Sequence, residues 1–178
     1  MKLIVELFFA LVLIVLLSPI LLLISLLIIL IDWHSPFFIQ ERLGRYKKMF
    51  TIIKFRSMKN GEITFFGKIL RKTGMDEIPQ LFNIMMGQMS FVGPRPLTAA
   101  DVKRLNWETE YYNKRWSLKP GIVGLAQLSP VCHKKVSWWL DKQYIEKQGV
   151  KLDTKILLAS VLIPFVGKTQ LKKWMHKR

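Results

Sequence analysis

Residues 7–31 carry no charge, and only Ser18, Pro19 and Ser25 interrupt their apolar character. About 20 apolar residues cross a bilayer as a helix, so this run constrains the chain more than any other part of it. Three readings compete for it. A signal peptide is disfavoured, because the run is too long and no A-x-A-like cleavage site follows. A spanning helix is the default by length. A re-entrant helix is the third, and Ser18-Pro19 near the middle is the feature that would make it. Proline inside a helix removes one backbone hydrogen bond and clashes with the preceding turn. The halves, 7–17 and 20–31, are each too short to cross alone and would dip into one leaflet and return. Membrane helices tolerate proline, so a kinked spanning helix stays open beside re-entry.

The rest of the chain is the opposite in character. The protein has 178 residues and a formal net charge of +16. Residues 32–178 hold 27 Lys and Arg against 11 Asp and Glu, so the whole excess lies after the apolar run. A basic domain beside such a run points to anionic partners at a membrane surface, and the positive-inside rule puts that domain in the cytoplasm. Trp33 and Phe37-Phe38 suit the interfacial aromatic belt. Residues 156–166 are apolar but too short to span. The tail from Gly167 mixes Lys168, Lys172, Lys173, Lys177 and Arg178 with Leu171, Trp174 and Met175, a pattern that suits anionic lipid or a disordered basic tail. The single Cys132 excludes an internal disulfide and a multi-cysteine zinc site. Cys132-His133 reads as structural, since adjacent side chains rarely point the same way. His34 and His176 have no ligand-spaced companions.

No repeat or low-complexity linker divides the soluble part. Residues 37–40 and 50–55 predict a β-hairpin with a basic loop. Residues 63–72 predict a helix stopped by Gly74. A second helix is expected to start near Gly74–Asp76, with Ile78, Leu81, Phe82 and Met85 on one face and Pro79 near its start. Residues 103–116 read as one polar helix, and Lys119-Pro120-Gly121 as a turn.

Asp76-Glu77 is the pair that stands out. In a first helical turn, the helix dipole keeps carboxylates ionised and N–H groups can meet a phosphate. Arg71 and Lys72 precede the pair, Arg95 follows in the rigid Gly93-Pro94-Arg95-Pro96 loop, and Lys54 and Arg56 add charge from the hairpin. Such a setting suits phosphoryl transfer, with one carboxylate attacking phosphorus and the other helping to hold a divalent metal. The bland alternative is a helix-capping pair on a surface attracted to lipid or nucleic acid. The usual nucleotide fingerprints are absent: five residues lie between Gly61 and Gly67-Lys68 and Ile69 follows, where a P-loop has four and then Ser or Thr.

Read in order, several segments make up a family pattern. They are the run with Ser18-Pro19; Gln40-Glu41-Arg42-Leu43-Gly44; Lys54-Phe55-Arg56-Ser57-Met58; and Leu70-Arg71-Lys72-Thr73. Asp76-Glu77-Ile78-Pro79-Gln80-Leu81-Phe82-Asn83 follows, then Gly87 through Pro96, then Pro120-Gly121-Ile122-Val123-Gly124-Leu125-Ala126-Gln127. With these segments the chain resembles the bacterial sugar transferases, small monotopic phosphoglycosyl transferases. The resemblance implies an α+β, mostly helical fold with a re-entrant helix over 1–33, broken at Ser18 and Pro19. Residues 34–178 would form a cytoplasmic catalytic domain on the membrane surface, with a small hairpin and a membrane-associated basic C-terminal segment. It implies Asp76 as nucleophile and Glu77 as its partner and metal ligand in a Mg2+-dependent reaction. Lys54, Arg56, Arg71, Arg95 and Asp141 are expected around the substrate and its phosphates. A UDP-sugar would be the donor and undecaprenyl phosphate the acceptor, at the cytoplasmic face of the bacterial inner membrane. Anionic lipids are expected partners, nucleic acid is not, and homo-oligomerisation is left open. The chain departs from the family pattern at Lys2, at Val5-Glu6, at Gly74 where Ser is usual, and over Ala126–His133. The competing reading is a non-enzymatic, membrane-anchored basic protein that binds anionic lipid or nucleic acid.

Overall fold

The structure, a computed structural model, describes residues 2–131 and 133–167. Cys132 and the basic tail after Gly167, with His176, lie outside the described residues. Among the described residues the fold is mostly helical with three two-stranded sheets. It packs as two compact units, Met1–Glu41 with Thr51–Gly87 and Arg42–Phe50 with Gln88–Arg178.

The first unit opens with α1 (Lys2–Leu27), a helix that continues through Pro19 and closes in a π-helical turn, Ile28–Asp32. From Lys2 to Asp32 it is long and apolar enough to cross a membrane. Pro19 lacks the N–H that would bond to the carbonyl of Val15, and the hydroxyl of Ser18 donates to that same carbonyl at 2.8 Å. The Ser-Pro pair therefore replaces the bond that proline deletes. Glu6, Leu7, Ala10, Leu13, Ile14, Leu17, Leu21, Ile24 and Ile28 are wholly or partly buried, at three- and four-residue spacing. This face packs on α3. Ile24 and Ile28 also join Phe55 and Leu70 in a core flanked by Leu21 and Phe66. At the far end Asp32 is buried, accepting from the Thr64 hydroxyl at 3.0 Å. Thr64 in turn caps α2 (Phe65–Thr73) by accepting from Gly67 N–H at 2.9 Å.

Strands β1 (Phe37–Leu43) and β2 (Met49–Phe55) form the expected hairpin with longer arms, its base in the first unit and its tip in the second. A second hairpin, β3 (Met58–Lys59) with β4 (Glu62–Ile63), turns on Asn60 and Gly61 at φ 50° and 85°. These are positive-φ positions that Asn-Gly favours.

In the second unit β5 (Ser90–Val92) pairs in parallel with β6 (Gly121–Val123). The turn expected at Lys119-Pro120-Gly121 thus leads straight into a strand. The expected helix over 103–116 is in fact two elements. Helix α4 (Ala99–Leu105) begins with a Thr98–Asp101 capping box and ends at Asn106, φ 56°. A 3-10 segment follows over Glu110–Ser117. Asn tolerates the left-handed conformation that stops a helix, which a reading by polarity alone passes over. Helices α5 (Lys134–Lys147) and α6 (Val150–Val166) complete the unit. His133 is the N-cap of α5, its Nδ1 accepting from Lys135 N–H at 3.3 Å, in keeping with a structural role. One core gathers Val92, Leu128, Tyr144, Ile156 and Ala159; another gathers Val102, Trp107, Trp116 and Trp138.

Candidate active site

The acidic pair does not lie in the first turn of an α-helix as expected. Gly74, at φ 75°, ends α2, and Met75–Glu77 form a single 3-10 turn ahead of α3 (Gln80–Met85). Proline is the physical reason. Pro79 has no N–H to return to Met75, so the segment closes on shorter bonds. Glu77 N–H reaches Gly74 O at 3.1 Å and Ile78 N–H reaches Met75 O at 3.2 Å. The α-helix begins only beyond the proline.

Around this turn, three elements of the first unit bring their charges together. Lys54 on β2 donates from Nζ to Glu77 Oε1 at 2.5 Å, with both side chains largely buried. The charges of Lys54 and Arg71 both act on Asp76. Arg71, in the last turn of α2, is held by Nε donating to Ser57 Oγ at 2.8 Å. Burial, first, and the adjacent Glu77 charge, second, push the Asp76 carboxyl above its ordinary range, against the pull of Lys54 and Arg71. A helix dipole alone would act in the opposite direction. A carboxylate raised in this manner is more basic, and so a better nucleophile when ionised.

Asn83, which the sequence reading left without a role, sets the geometry. Fully buried on α3, it accepts from Ile53 N–H at 3.1 Å and donates to Thr51 O at 2.6 Å. It therefore binds α3 to the strand that carries Lys54. The signal was a lone amide between Phe82 and Ile84. Arg56 serves the turn before β1, donating from Nε to Ser35 O at 3.0 Å and from Nη2 to Phe37 O at 3.2 Å.

The remaining expected residues belong to the second unit. Arg95 is exposed between buried Pro94 and Pro96. Asp141, on α5, is buried and accepts from Arg115 Nε at 2.9 Å. Burial lifts its carboxyl above the usual range while the Arg115 charge works against that rise. The sequence reading missed Arg115, although an arginine set against Trp116 in an aromatic stretch was a signal for it. Among the described residues, no three His, Cys, Asp or Glu side chains gather to hold a metal by themselves.

The acidic pair is thus set against two cations, in a unit led by a helix apolar enough to cross a membrane. The chain belongs to the bacterial sugar transferase family, whose sequence model matches residues 1–167. It is 34% identical over 178 residues to the UDP-glucose:undecaprenyl-phosphate glucose-1-phosphate transferase of Klebsiella pneumoniae, covering 87% of this chain and 38% of that protein. It is 36% identical over 161 residues to the UDP-N-acetylgalactosamine-undecaprenyl-phosphate N-acetylgalactosaminephosphotransferase of Aeromonas hydrophila, covering 78% and 38%. With the uncharacterized sugar transferase EpsL of Bacillus subtilis (strain 168) it shares 34% over 161 residues, covering 81% and 77%. The chain thus spans little more than a third of the first two relatives and three quarters of the third.

Proposed function

We propose that this protein transfers a sugar 1-phosphate from a UDP-sugar to undecaprenyl phosphate, releasing UMP. The observation that carries the reading is Asp76, partly buried beside Glu77 and acted on by Lys54 and Arg71. The names of the relatives supply the substrate classes. An Asp76 oxygen attacks the sugar-bearing phosphorus, and the bond to the UMP oxygen breaks. The phosphosugar then rests on the Asp76 carboxylate. A phosphate oxygen of the polyprenyl carrier attacks the same phosphorus and returns the carboxylate. Taking turns at one nucleophile suits substrates that arrive from water and from lipid. Arg71, with Arg95 by resemblance, meets the phosphates, and Lys54 fixes Glu77.

Glu77 is the residue that would hold magnesium. Glu77, next to Asp76, gives a protein carboxylate whose charge is already one cause of the raised Asp76, and Mg2+ keeps most of its shell as water and phosphate oxygens. When bound, magnesium supplies charge neutralisation on the diphosphate.

The placement at the membrane is part of the same reading: α1 re-enters rather than spans, and the domain lies on the cytoplasmic surface against anionic lipid. Two features support it. They are Ser18-Pro19 at mid-helix and the partly buried stripe along α1, which packs in part on α3.

The test is intact-protein mass after mixing with a UDP-sugar panel, without acceptor. We expect an adduct of one sugar phosphate that disappears on adding undecaprenyl phosphate. Asp76→Asn should form no adduct and release no UMP, and excess EDTA should stop turnover. An active Asp76→Asn protein would sink the covalent route.

A further inference from the structure

The loop that carries Arg95 has its main chain tied down almost residue by residue within the second unit. Val92 O accepts from the Tyr144 hydroxyl at 3.1 Å, and Pro94 O from Gly121 N–H at 3.1 Å. Arg95 O accepts from Arg115 Nη2 at 2.6 Å, and Pro96 O from Arg42 Nη1 at 3.3 Å. Leu97 O accepts from Leu43 N–H at 2.8 Å. Pro94 and Pro96 fix their own φ angles and restrict the residue before each.

One of these ties is expensive. The side chains of Arg115 and Asp141 are each only 4% exposed. They sit beside a core of Val102, Trp107, Trp116 and Trp138. Arg115 lies over the rings of Trp107 and Trp116, at 5.3 and 5.1 Å to their centroids. A buried ion pair is seldom more stable than well-packed apolar residues in its place. What an apolar pair could not do is hold the carbonyl of residue 95. Asp141 accepts from the guanidinium's Nε, Trp107 and Trp116 lie against it, and its Nη2 goes to that carbonyl.

We infer that Arg115 and Asp141 are positioning residues: they fix the main chain from which Arg95 projects, and neither touches substrate. This rests on the reading of Arg95 as a contact for the donor's phosphates. It also gives Asp141 a different role from the one the family resemblance implies.

The experiment uses the full chain in detergent and compares four proteins with the wild type. These are Arg95→Ala, the apolar pair Arg115→Met with Asp141→Leu, the triple combination, and Arg115→Lys. Each is measured for melting temperature, UDP affinity by calorimetry, and kcat and KM for UMP release. The apolar pair should melt within a few degrees of wild type, since no uncompensated charge is left behind. It should bind UDP roughly tenfold more weakly and lose kcat/KM by a factor on the order of 100. Arg95→Ala should lose as much, and the triple variant no more than Arg95→Ala alone. If the apolar pair does not fold, Arg115→Lys carries the same comparison, because an ammonium keeps the charge but not the planar fork. Wild-type UDP affinity in a folded apolar pair, or losses that add to those of Arg95→Ala, would overturn the inference. Wild-type protein that binds UDP but releases no UMP from any donor would overturn the proposed function alone, with the positioning claim still read from UDP affinity. Wild-type protein that does not bind UDP would overturn both.

Discussion

Asn83 makes two hydrogen bonds from a fully buried position, and both partners are main-chain groups of β2. Truncating it leaves Ile53 N–H and Thr51 O without their partner. Asn83→Ala should therefore cost roughly 2–4 kcal/mol, seen as a clear drop in melting temperature. UMP release should fall beyond what unfolding explains, because Lys54 sits on the strand that Asn83 holds. At this scale part of the clustered charge was legible in the sequence. Lys54, Arg71, Asp76 and Glu77 were all named from it, and their charges meet in one unit. It was opaque where a side chain works on distant backbone. Nothing local says that Asn83 reaches 30 and 32 residues back, or that Arg115 reaches Asp141 on another helix. Pairing of elements decides both.

Among the elements, α2 owes its place to the absence of a side chain. A Cβ on Gly67 would lie 2.1 Å from the Ser57 carbonyl oxygen, a main-chain atom that cannot swing aside. Gly67→Ala should cost about 1–3 kcal/mol and, by displacing Ser57, loosen Arg71 and depress UMP release as well. Helix α4 offers a cleaner titration. Burial works to raise the Asp101 carboxyl, but hydrogen bonds from Arg104 and Thr98, with the charge of Arg42, outweigh it and lower it. A lowered carboxyl stabilises the fold above its ordinary value and loses that contribution as pH falls through the depressed one. Asp101→Asn should thus cost about 1 kcal/mol near pH 7. Melting curves should show the deficit closing as pH falls below about 4. A deficit that persists unchanged in acid would refute the charge account. Boundaries followed local chemistry where a strong stop was present, as at Gly74. They were misjudged where a weak one was decisive: Asn106 divides residues that polarity had joined, and Pro79 turns an expected helical start into a 3-10 turn.

For the molecule as a whole, the largest consequence lies in where α1 goes. With Cys132 replaced by Ser, single cysteines at the N-terminus and near Ser57 should both resist an impermeant thiol reagent applied outside the cell. Labelling of the N-terminal cysteine alone would mean that the helix spans. Pro19→Leu should move some molecules toward that form, since it restores the backbone N–H that proline lacks and removes its clash with the preceding turn. The helical majority and the leading apolar helix were legible in the sequence. The interleaving of the two packing units was not, because the tip of one hairpin belongs to a unit otherwise built from residues 88 onward. The stripe along α1 adds a matter of timing. Part of its cover, α3, is some 50 residues further along the chain, which a ribosome takes roughly 3–10 s to add. Throughout that interval the nascent helix is apolar on every side. On the membrane reading proposed above, it waits in lipid or under an insertion factor, and the domain then folds against a helix already in place.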